Sequence, residues 1–374
     1  MTVIKSTLMS ILSRMLLKEI LFPFIFAFCA LNALFLTGRL LPLFEPILKA
    51  GTGFKDLLKL LALILPTFWV FVLPMATVVG VLLGFLRLSR DSEVLALFAC
   101  GVTPRKLLIP VFLVAFTAFL LSLFISSYIL PESKMASKTF IMQLTQLALA
   151  KGIPEHTFFT PIPGLTIYAH KGTDGGKHLK GIFIWDSRKK DSASQTFAKS
   201  GEIMAENGKK EVAMRLVDGT LNITSPDYKN TDTMDFNTYT IRLRLAEDSY
   251  EASRGDLRID KLLKETTNPK NTKDDKISYL VELYKRLTLP FGTLILGLLA
   301  APLGIFFGRT GLSGGVALSL AAFLTYYTLM ICMANLAEAG ITPPFLSLFM
   351  PNLVFLCITA AMLWLLNRRG PIKG

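Results

Sequence analysis

Six runs of predominantly apolar residues punctuate the chain, at about 21–43, 57–86, 105–130, 287–308, 314–337 and 345–366. A helix rises about 1.5 Å per residue, so roughly 20 apolar residues cover a hydrocarbon core of about 30 Å. Each run is therefore predicted to cross a membrane as a helix. The second is long enough to tilt or bend, with Pro66 and Pro74 inside it. The stretch from Leu21 to Leu41 is too long for the apolar core of a signal peptide, and no small-residue cleavage site follows. It reads as a retained first span.

Between the third and fourth runs the pattern changes. Residues 131–151 read as a helix leaving the membrane. Residues 156–245 alternate apolar and polar positions in short stretches such as LTIYAH, KGIFIWD and EVAMRLV, with turn signals at 172–176 and at Asn207-Gly208. Period-two runs bounded by such turns predict antiparallel strands, arranged as a sandwich or jelly roll. Residues 246–282 are charged and predicted helical or loose. The expected fold is thus a membrane α-helical protein with six transmembrane helices, three plus three, and an inserted all-β jellyroll-like domain. Its parts are residues 1–130, 131–282 and 283–374.

Composition sharpens this division. The chain is 52% hydrophobic, with mean hydropathy +0.51, which places it outside soluble globular proteins. Residues 131–280 hold 23 of the 40 Lys/Arg and 20 of the 27 Asp/Glu, so the net charge of +13 belongs mainly to the apolar blocks. There it argues for orientation and anionic lipid, with no nucleic-acid partner. Eleven Lys/Arg, among them Arg14, Arg87, Arg105 and Arg368, flank one side of the spans, and six flank the other. The excess predicts cytoplasmic termini and an external β domain. Cys29, Cys100, Cys332 and Cys357 form no disulfide framework or metal spacing.

Missing chemistry narrows the function. No Asp, Glu, Lys or His lies near the middle of a predicted span. Ion-coupled carriers place such groups there despite their cost, so secondary transport is disfavoured. There is no P-loop and no cofactor motif, and no enzymatic step is expected of the chain. Leu312-Ser313-Gly314-Gly315 matches the signature loop of ABC ATPases in letters only; small residues that let helices pack closely explain it better.

The connection at 87–104 is the most informative segment. Asp91 is expected to cap a short amphipathic helix at about 90–100, with Glu93 in its first turn and Val94, Leu95, Leu97 and Phe98 as its apolar face. Gly101 suits the residue after its end, and Thr103-Pro104 restarts a helix. The segment is either a connector floating at the interface or a coupling helix for a cytoplasmic motor, with Arg90, Asp91, Glu93, Leu97 and Phe98 as the contact.

Arg90-Asp91-Ser92-Glu93 with Ala99-Cys100-Gly101-Val102, Tyr284-Lys285-Arg286-Leu287-Thr288-Leu289-Pro290, and the glycine-rich 308–315 closely resemble the LptF/LptG family of lipopolysaccharide-export permeases, the F type more than the G type. The plan of three spans, a periplasmic jellyroll and three spans matches throughout. The resemblance implies an inner-membrane subunit of an ABC transporter. It pairs with an LptG-like sister permease, is driven by two copies of an LptB-like ATPase, and passes lipopolysaccharide to periplasmic jellyroll bridge proteins. Glu93 matches the family acid that meets the ATPase. Arg39 matches a basic residue near lipid phosphates, although Pro42 stands where the family has a second one.

A phosphorylated lipid head would be met by Arg39, Lys55, Lys59 and Arg286, whose alternative role is interfacial snorkelling. In the β domain, Phe158, Ile167, Ile182, Ile184, Leu221, Ile223 and Phe236 are candidates for an acyl-chain groove, or else ordinary core. Two further classes compete: an ion-coupled lipid flippase, and a scaffold or sensor with an outer β domain. The sensor needs an output domain, and only eight residues follow the last predicted span.

Overall fold

Apolar runs with helical length become nine helices among the described residues, and the alternating block becomes six strands. The computed structural model describes residues 2–50, 53–162, 164–189, 192–205, 211–224, 231–244, 253–308 and 311–369. The helices are α1 (Thr2–Ala50), α2 (Phe54–Arg90), α3 (Glu93–Ala99), α4 (Pro104–Phe124) and α5 (Leu130–Lys151), then α6 (Ile259–Thr267), α7 (Lys273–Phe306), α8 (Gly311–Glu338) and α9 (Pro344–Arg369). Six segments are long and apolar enough to cross a membrane, one within each of α1, α2, α7, α8 and α9 and one running from α4 into α5. The chain divides into two compact units. One comprises Met1–Gly38, Leu63–Met135 and Ala252–Gly374; the other comprises Arg39–Ala62 and Ala136–Glu251.

The helical unit is organised around α2 and α7. The apolar window of α2 is 83% buried and that of α7 67%, against 11% for α1 and 22% for α8. The two central helices therefore carry the packing, and α1 and α8 present most of their apolar surface outward. Contact between α2 and its neighbours is close because small residues line it. A Cβ on Gly80 would lie 2.6 Å from Phe24 Cβ of α1, and one on Gly304 of α7 would lie 2.7 Å from the Leu82 carbonyl oxygen of α2.

One buried polar cluster joins the last three helices. Tyr326 Oη of α8 donates to Asn352 Oδ1 of α9 at 2.8 Å, and Asn352 Nδ2 donates to the Thr288 carbonyl of α7 at 3.1 Å. All three residues are buried, so in a lipid-covered bundle these bonds are satisfied by one another. Gly292 leaves room for the tyrosine hydroxyl, which a side chain at that position would strike.

Helix α4 continues into α5 through a π-helical turn at Ile125–Ile129. Pro131 lies two residues beyond; it has no N–H for the Ser127 carbonyl, and the wider turn relieves the crowding of its ring. The chain returns to the bundle through a 3-10 turn at Arg254–Asp256 and α6. Arg286, in the first half of α7, holds this return. It is 2% exposed, and its guanidinium donates to the carbonyls of Leu257 (2.5 Å), Gly255 (3.0 Å) and Arg254 (3.5 Å) and to Glu282 Oε1 (3.3 Å). Arg258 pairs with Glu132 of α5 at 2.8 Å. The departing and returning segments are thus both tied at one end of the bundle.

The β unit is a single antiparallel meander: β1 (Phe158–Ile162), β2 (Leu165–Thr173), β3 (His178–Lys189), β4 (Ser192–Ala205), β5 (Glu211–Thr224) and β6 (Thr231–Arg244), paired in sequence order. The expected inserted β domain is present, with strand order fixed as an up-and-down sheet. Alternation and turn signals locate strands and hairpins; they do not decide which strands pair. The turn at 172–176 is observed, with Asp174, Gly175 and Gly176 at positive φ, whereas Asn207-Gly208 lies outside the described residues.

The meander builds its core by changing which positions are buried. In β3 the buried residues are Ile182 and Ile184 on one side of Gly181 and Leu179 on the other. Strand β4 changes from Thr196 and Ala198 to Gly201 and Ile203, and β5 from Leu221 to Leu216 and Met214. Pairing register runs unbroken across this line. Gly181 (φ 63°) and Asp218 (φ 54°) lie on it in β3 and β5, where a left-handed residue interrupts the pleat; β4 makes the same change without one. Residues from both halves join one apolar cluster.

Two outcomes are expected. Replacing Gly292 with Val should lower thermal stability in detergent by about 1–3 kcal/mol through overpacking against Tyr326, while Leu353→Val on the exposed face of α9 should leave it unchanged. Replacing Arg286 with Met should speed amide exchange at residues 253–258 about a hundredfold, equivalent to about 3 kcal/mol of lost protection.

Candidate functional site

The connection from α2 to α4 is built as a fixed elbow. Helical hydrogen bonding in α2 continues through Asp91 N–H to the Arg87 carbonyl (3.0 Å), and Ser92 N–H bonds the Ser89 carbonyl (3.1 Å). Ser92 then takes a left-handed conformation (φ 60°) and α3 begins at Glu93. This corrects the expected capping role of Asp91. Its backbone still belongs to the last turn of α2, and its carboxylate faces Arg90 Nε (3.4 Å) and Arg87 Nε (3.9 Å). Arg87 also pairs with Glu19 of α1 at 2.8 Å. These pairs are exposed and contribute little energy, but they surround the elbow with fixed charge.

The end of α3 follows its sequence closely. Gly101 (φ 80°) sends its N–H to the Phe98 carbonyl, and Val102 N–H bonds the Leu97 carbonyl, both at 3.0 Å. This paired closure satisfies two helix-end carbonyls and requires a residue that tolerates positive φ. Pro104 opens α4 at its first turn, where the missing N–H costs nothing.

Burial around α3 differs from the apolar face expected. Val94 is buried, and Leu97 and Phe98 pack partly against the main helical core. The outward face is Leu95, Ala96, Ala99 and Cys100, with Leu95 49% exposed. Of the expected contact residues, Leu97 and Phe98 therefore seat the helix while Arg90, Asp91 and Glu93 stay off the core, and Leu95, between Val94 and Leu97 in sequence but on the opposite side, is the large apolar side chain left outside. A helical wheel restricted to seven residues could have separated these faces, had the anchoring side been known. Glu93 stands in the first turn beside them, and among the described residues no ion pair engages it.

Below the elbow the packing is backbone-close. Ser89 Oγ donates to the Ile305 carbonyl of α7 at 3.1 Å, and Gly308 packs directly on Ser89. A Cβ on Gly315 of α8 would lie 2.9 Å from Leu83 and Leu86 of α2. The Leu-Ser-Gly-Gly letters therefore belong to the first turns of α8, where they serve helix packing.

The predicted cations have different environments. Arg39 in α1 and Lys55 in α2 are exposed. Lys59 places its ammonium 4.5 Å from the ring centre of Phe140, a cation–π contact. Arg286 spends four of its hydrogen-bonding contacts on Glu282 and on backbone carbonyls, in contrast to a free interfacial cation.

The β-domain candidates also separate. Ile167, Ile182, Ile184 and Leu221 are buried, and Phe236 is half-buried against the same cluster. Phe158 pairs with Tyr168 and is 62% exposed, whereas Phe159 opposes Ile167 and takes the inward position; the adjacent phenylalanines differ by one step of the pleat. Toward β6 the buried positions open outward: Ile223 is 37% exposed and Met234, paired with Leu221, is 61% exposed. Met234 was invisible as a candidate because only the pairing register places it beside Leu221.

Comparison with known proteins addresses the whole architecture. Residues 14–368 match the family model described as lipopolysaccharide export system permease LptF/LptG. Over 362 residues, 95% of each chain, the protein is 22% identical to the lipopolysaccharide export system permease protein LptF of Escherichia coli K12, and equally so to that of Shigella flexneri. An uncharacterised protein of Rickettsia prowazekii is 33% identical over 165 residues, 44% of each chain. With a family match across nearly the full length and six membrane-length helices interrupted by one β domain, the chain belongs to the LptF/LptG family of lipopolysaccharide-export permeases.

Proposed function

We propose that this chain is one of two paired permeases in an ABC-type extractor that lifts lipopolysaccharide from the inner membrane toward a periplasmic bridge of jellyroll proteins. Its partners on this reading are an LptG-like sister permease and two copies of an LptB-like ATPase. The chain has cytoplasmic termini, a periplasmic β domain and no hydrolytic step of its own.

The observation that carries the reading is the elbow at α3. Its inner face is anchored by Val94, Leu97 and Phe98, and its outer face offers Leu95 beside Glu93. A motor protein with an apolar groove rimmed by basic groups fits that surface. Force applied to α3 passes into α2 through a short, hydrogen-bonded junction. It then reaches α7 through Ser89, Gly304 and Gly308, contacts too close to absorb a displacement. Helix α7 is 34 residues long, and Arg286, about 30 Å along it from Ile305 at the helical rise, holds the returning chain. One continuous helix thus links the motor side to the segment that follows the β domain.

Substrate chemistry agrees with the same scheme. Apolar spans suit acyl chains, and the exposed Arg39, Lys55 and Lys59 suit phosphates at the membrane surface. In the β unit, the apolar positions that open outward at Ile223 and Met234 give acyl chains a way onto the buried positions Leu221 and Ile184.

Glu93→Lys and Leu95→Asp are each expected to reduce co-purified ATPase more than about tenfold, a loss of about 1.4 kcal/mol or more, without lowering the melting temperature of the permease. Normal lipopolysaccharide export in cells carrying only Glu93→Lys would sink the coupling role. A photo-crosslinking amino acid at Met234 is expected to label lipopolysaccharide in an ATP-dependent manner, with one at Lys199, on an exposed position of β4, as the unlabelled control.

A further inference from the structure

In the part of the β unit that holds Ile182 and Ile184, the side of the sheet away from the apolar cluster is aromatic. Pairing register sets Phe158 opposite Tyr168, Tyr168 opposite Phe183, and Phe183 opposite Phe197. Their neighbours along the strands, Phe159, Ile167, Ile182, Ile184 and Ala198, are buried, so this row lies on the outer side of the pleat. Ring centres of Phe158 and Tyr168 are 5.0 Å apart, as are those of Phe183 and Phe197. Phe158 is 62% exposed and Phe197 47%. Strands stand about 4.8 Å apart, so the row is about 14 Å long. Thr220 and Asp235 continue it onto β5 and β6, joined by a hydrogen bond from Thr220 Oγ1 to Asp235 Oδ1 at 2.7 Å.

Two residues along each strand, about 7 Å away, a second row borders the first on the same side. There Thr166 lies opposite Trp185, Trp185 opposite Gln195, Gln195 opposite Asn222 and Asn222 opposite Thr233. Apart from the indole, its members are uncharged, and each both donates and accepts hydrogen bonds. The nearest cation on β4, Lys199, stands on the opposite border of the aromatic row and is paired with Asp218 at 3.9 Å.

Cross-strand aromatic pairs stabilise a sheet, but stability alone does not require them exposed in one row beside amides and hydroxyls. A membrane surface attracts aromatic residues flanked by Lys or Arg, and a protein interface gathers Arg and Met around its aromatics. Neither row contains any of these residues. A sugar ring offers what both rows can use. Its face of C–H bonds stacks on an aromatic ring, and its hydroxyls donate and accept as threonine and the amides do. The lone charge in the two rows, Asp235, disfavours an anionic sugar.

We propose that this face of the β unit binds an uncharged glycan of N-acetylated sugar rings, the chemistry of the cell-wall polymer. The rings lie over Phe158, Tyr168, Phe183 and Phe197, and the acetamido groups meet Gln195 and Asn222. The surface is on the other side of the strands from Ile184 and Leu221, so it is distinct from the acyl-chain route. Binding here would hold the outer domain of the permease against the wall. The proposal rests on the periplasmic placement of the β domain and does not require the coupling role of α3.

The test uses the full chain, purified with its partners in a polyoxyethylene detergent, because a sugar-headed detergent would compete. Binding of a fluorescently labelled N-acetylglucosamine hexamer is read by anisotropy. Phe158→Ala and Phe197→Ala are each expected to weaken binding about tenfold, whereas Phe197→Trp keeps an aromatic face and stays within about twofold of the parent. Val217→Ala, at an exposed position of β5 beyond Asp218, should bind as the parent does. No binding by the parent, or undiminished binding by both alanine variants, would overturn the site. Tighter binding of lipopolysaccharide core oligosaccharide than of the hexamer would overturn the wall glycan as the occupant. In cells, a photo-crosslinking amino acid at Phe197 is expected to give adducts that an enzyme cleaving the wall glycan disperses. A discrete protein adduct that survives the enzyme would overturn the glycan in favour of a protein partner. Glu93→Lys should bind the hexamer as the parent does, so failure of the coupling reading and failure of this one are separately visible.

Discussion

Helices in a lipid environment gain nothing from hiding apolar surface from water, because the surrounding chains are as apolar as leucine. What holds this bundle together is close backbone approach at small residues and a few internally satisfied polar bonds. Both concentrate on α2 and α7. Gly80 and Gly84 admit α1, Gly304 of α7 and Gly308 just beyond it meet α2, and Gly315 lets α8 close on α2. Thr288, Tyr326 and Asn352 close the other side of α7 against α8 and α9. The two central helices consequently have the most buried windows, while α1 and α8 keep most of their apolar surface outside.

Close approach also determines how the bundle can move. Contacts made through glycine have no flexible side chain between them, so a shift of α2 at Ser89 must be shared by α7 or break their hydrogen bond. About 30 Å along α7 from that contact, Arg286 is bound to three backbone carbonyls and to Glu282, and releasing the carbonyls would leave most donors of a buried guanidinium unmet. A helical segment clamped at two points by such contacts transmits displacement between them rather than dissipating it. Pro290 and Pro302 within α7 are the positions where it can bend without losing a donor it needs.

Much of this was readable from the chain, and what was missing shares one cause. The six spans, the turn at 172–176, Gly101 and Pro104 are local features, each set by a few neighbouring residues, and each is observed. The elbow was legible as a short helix, but its two faces were not. Val94, Leu97 and Phe98 turn inward because the ends of α2 and α4 fix the rotation of α3, and seven residues carry too little periodicity to reveal that. Asp91 looked like a cap because its residue type suits one; helical bonding carried through it from α2 decides otherwise. The meander order, the parity change at Gly181 and Asp218, and the exchange of Phe158 for Phe159 all depend on strand pairing, which alternation cannot specify.

Arg286 shows why residue type and position together still underdetermine a role. In the sequence it is one of two adjacent cations at the start of an apolar run, equivalent to Lys285. The guanidinium, with five donors in a fixed fork, suits several carbonyls at once, and the returning chain offers them from residues 254 to 257. Lysine, a compact point charge on a flexible stem, suits a mobile anion at a surface. The two neighbours differ accordingly, arginine buried as a structural tie and lysine partly exposed, 4.0 Å from Glu338. In a span without internal carboxylates, the work of a charge is decided at the helix ends, by which geometry of donors the surrounding backbone can use.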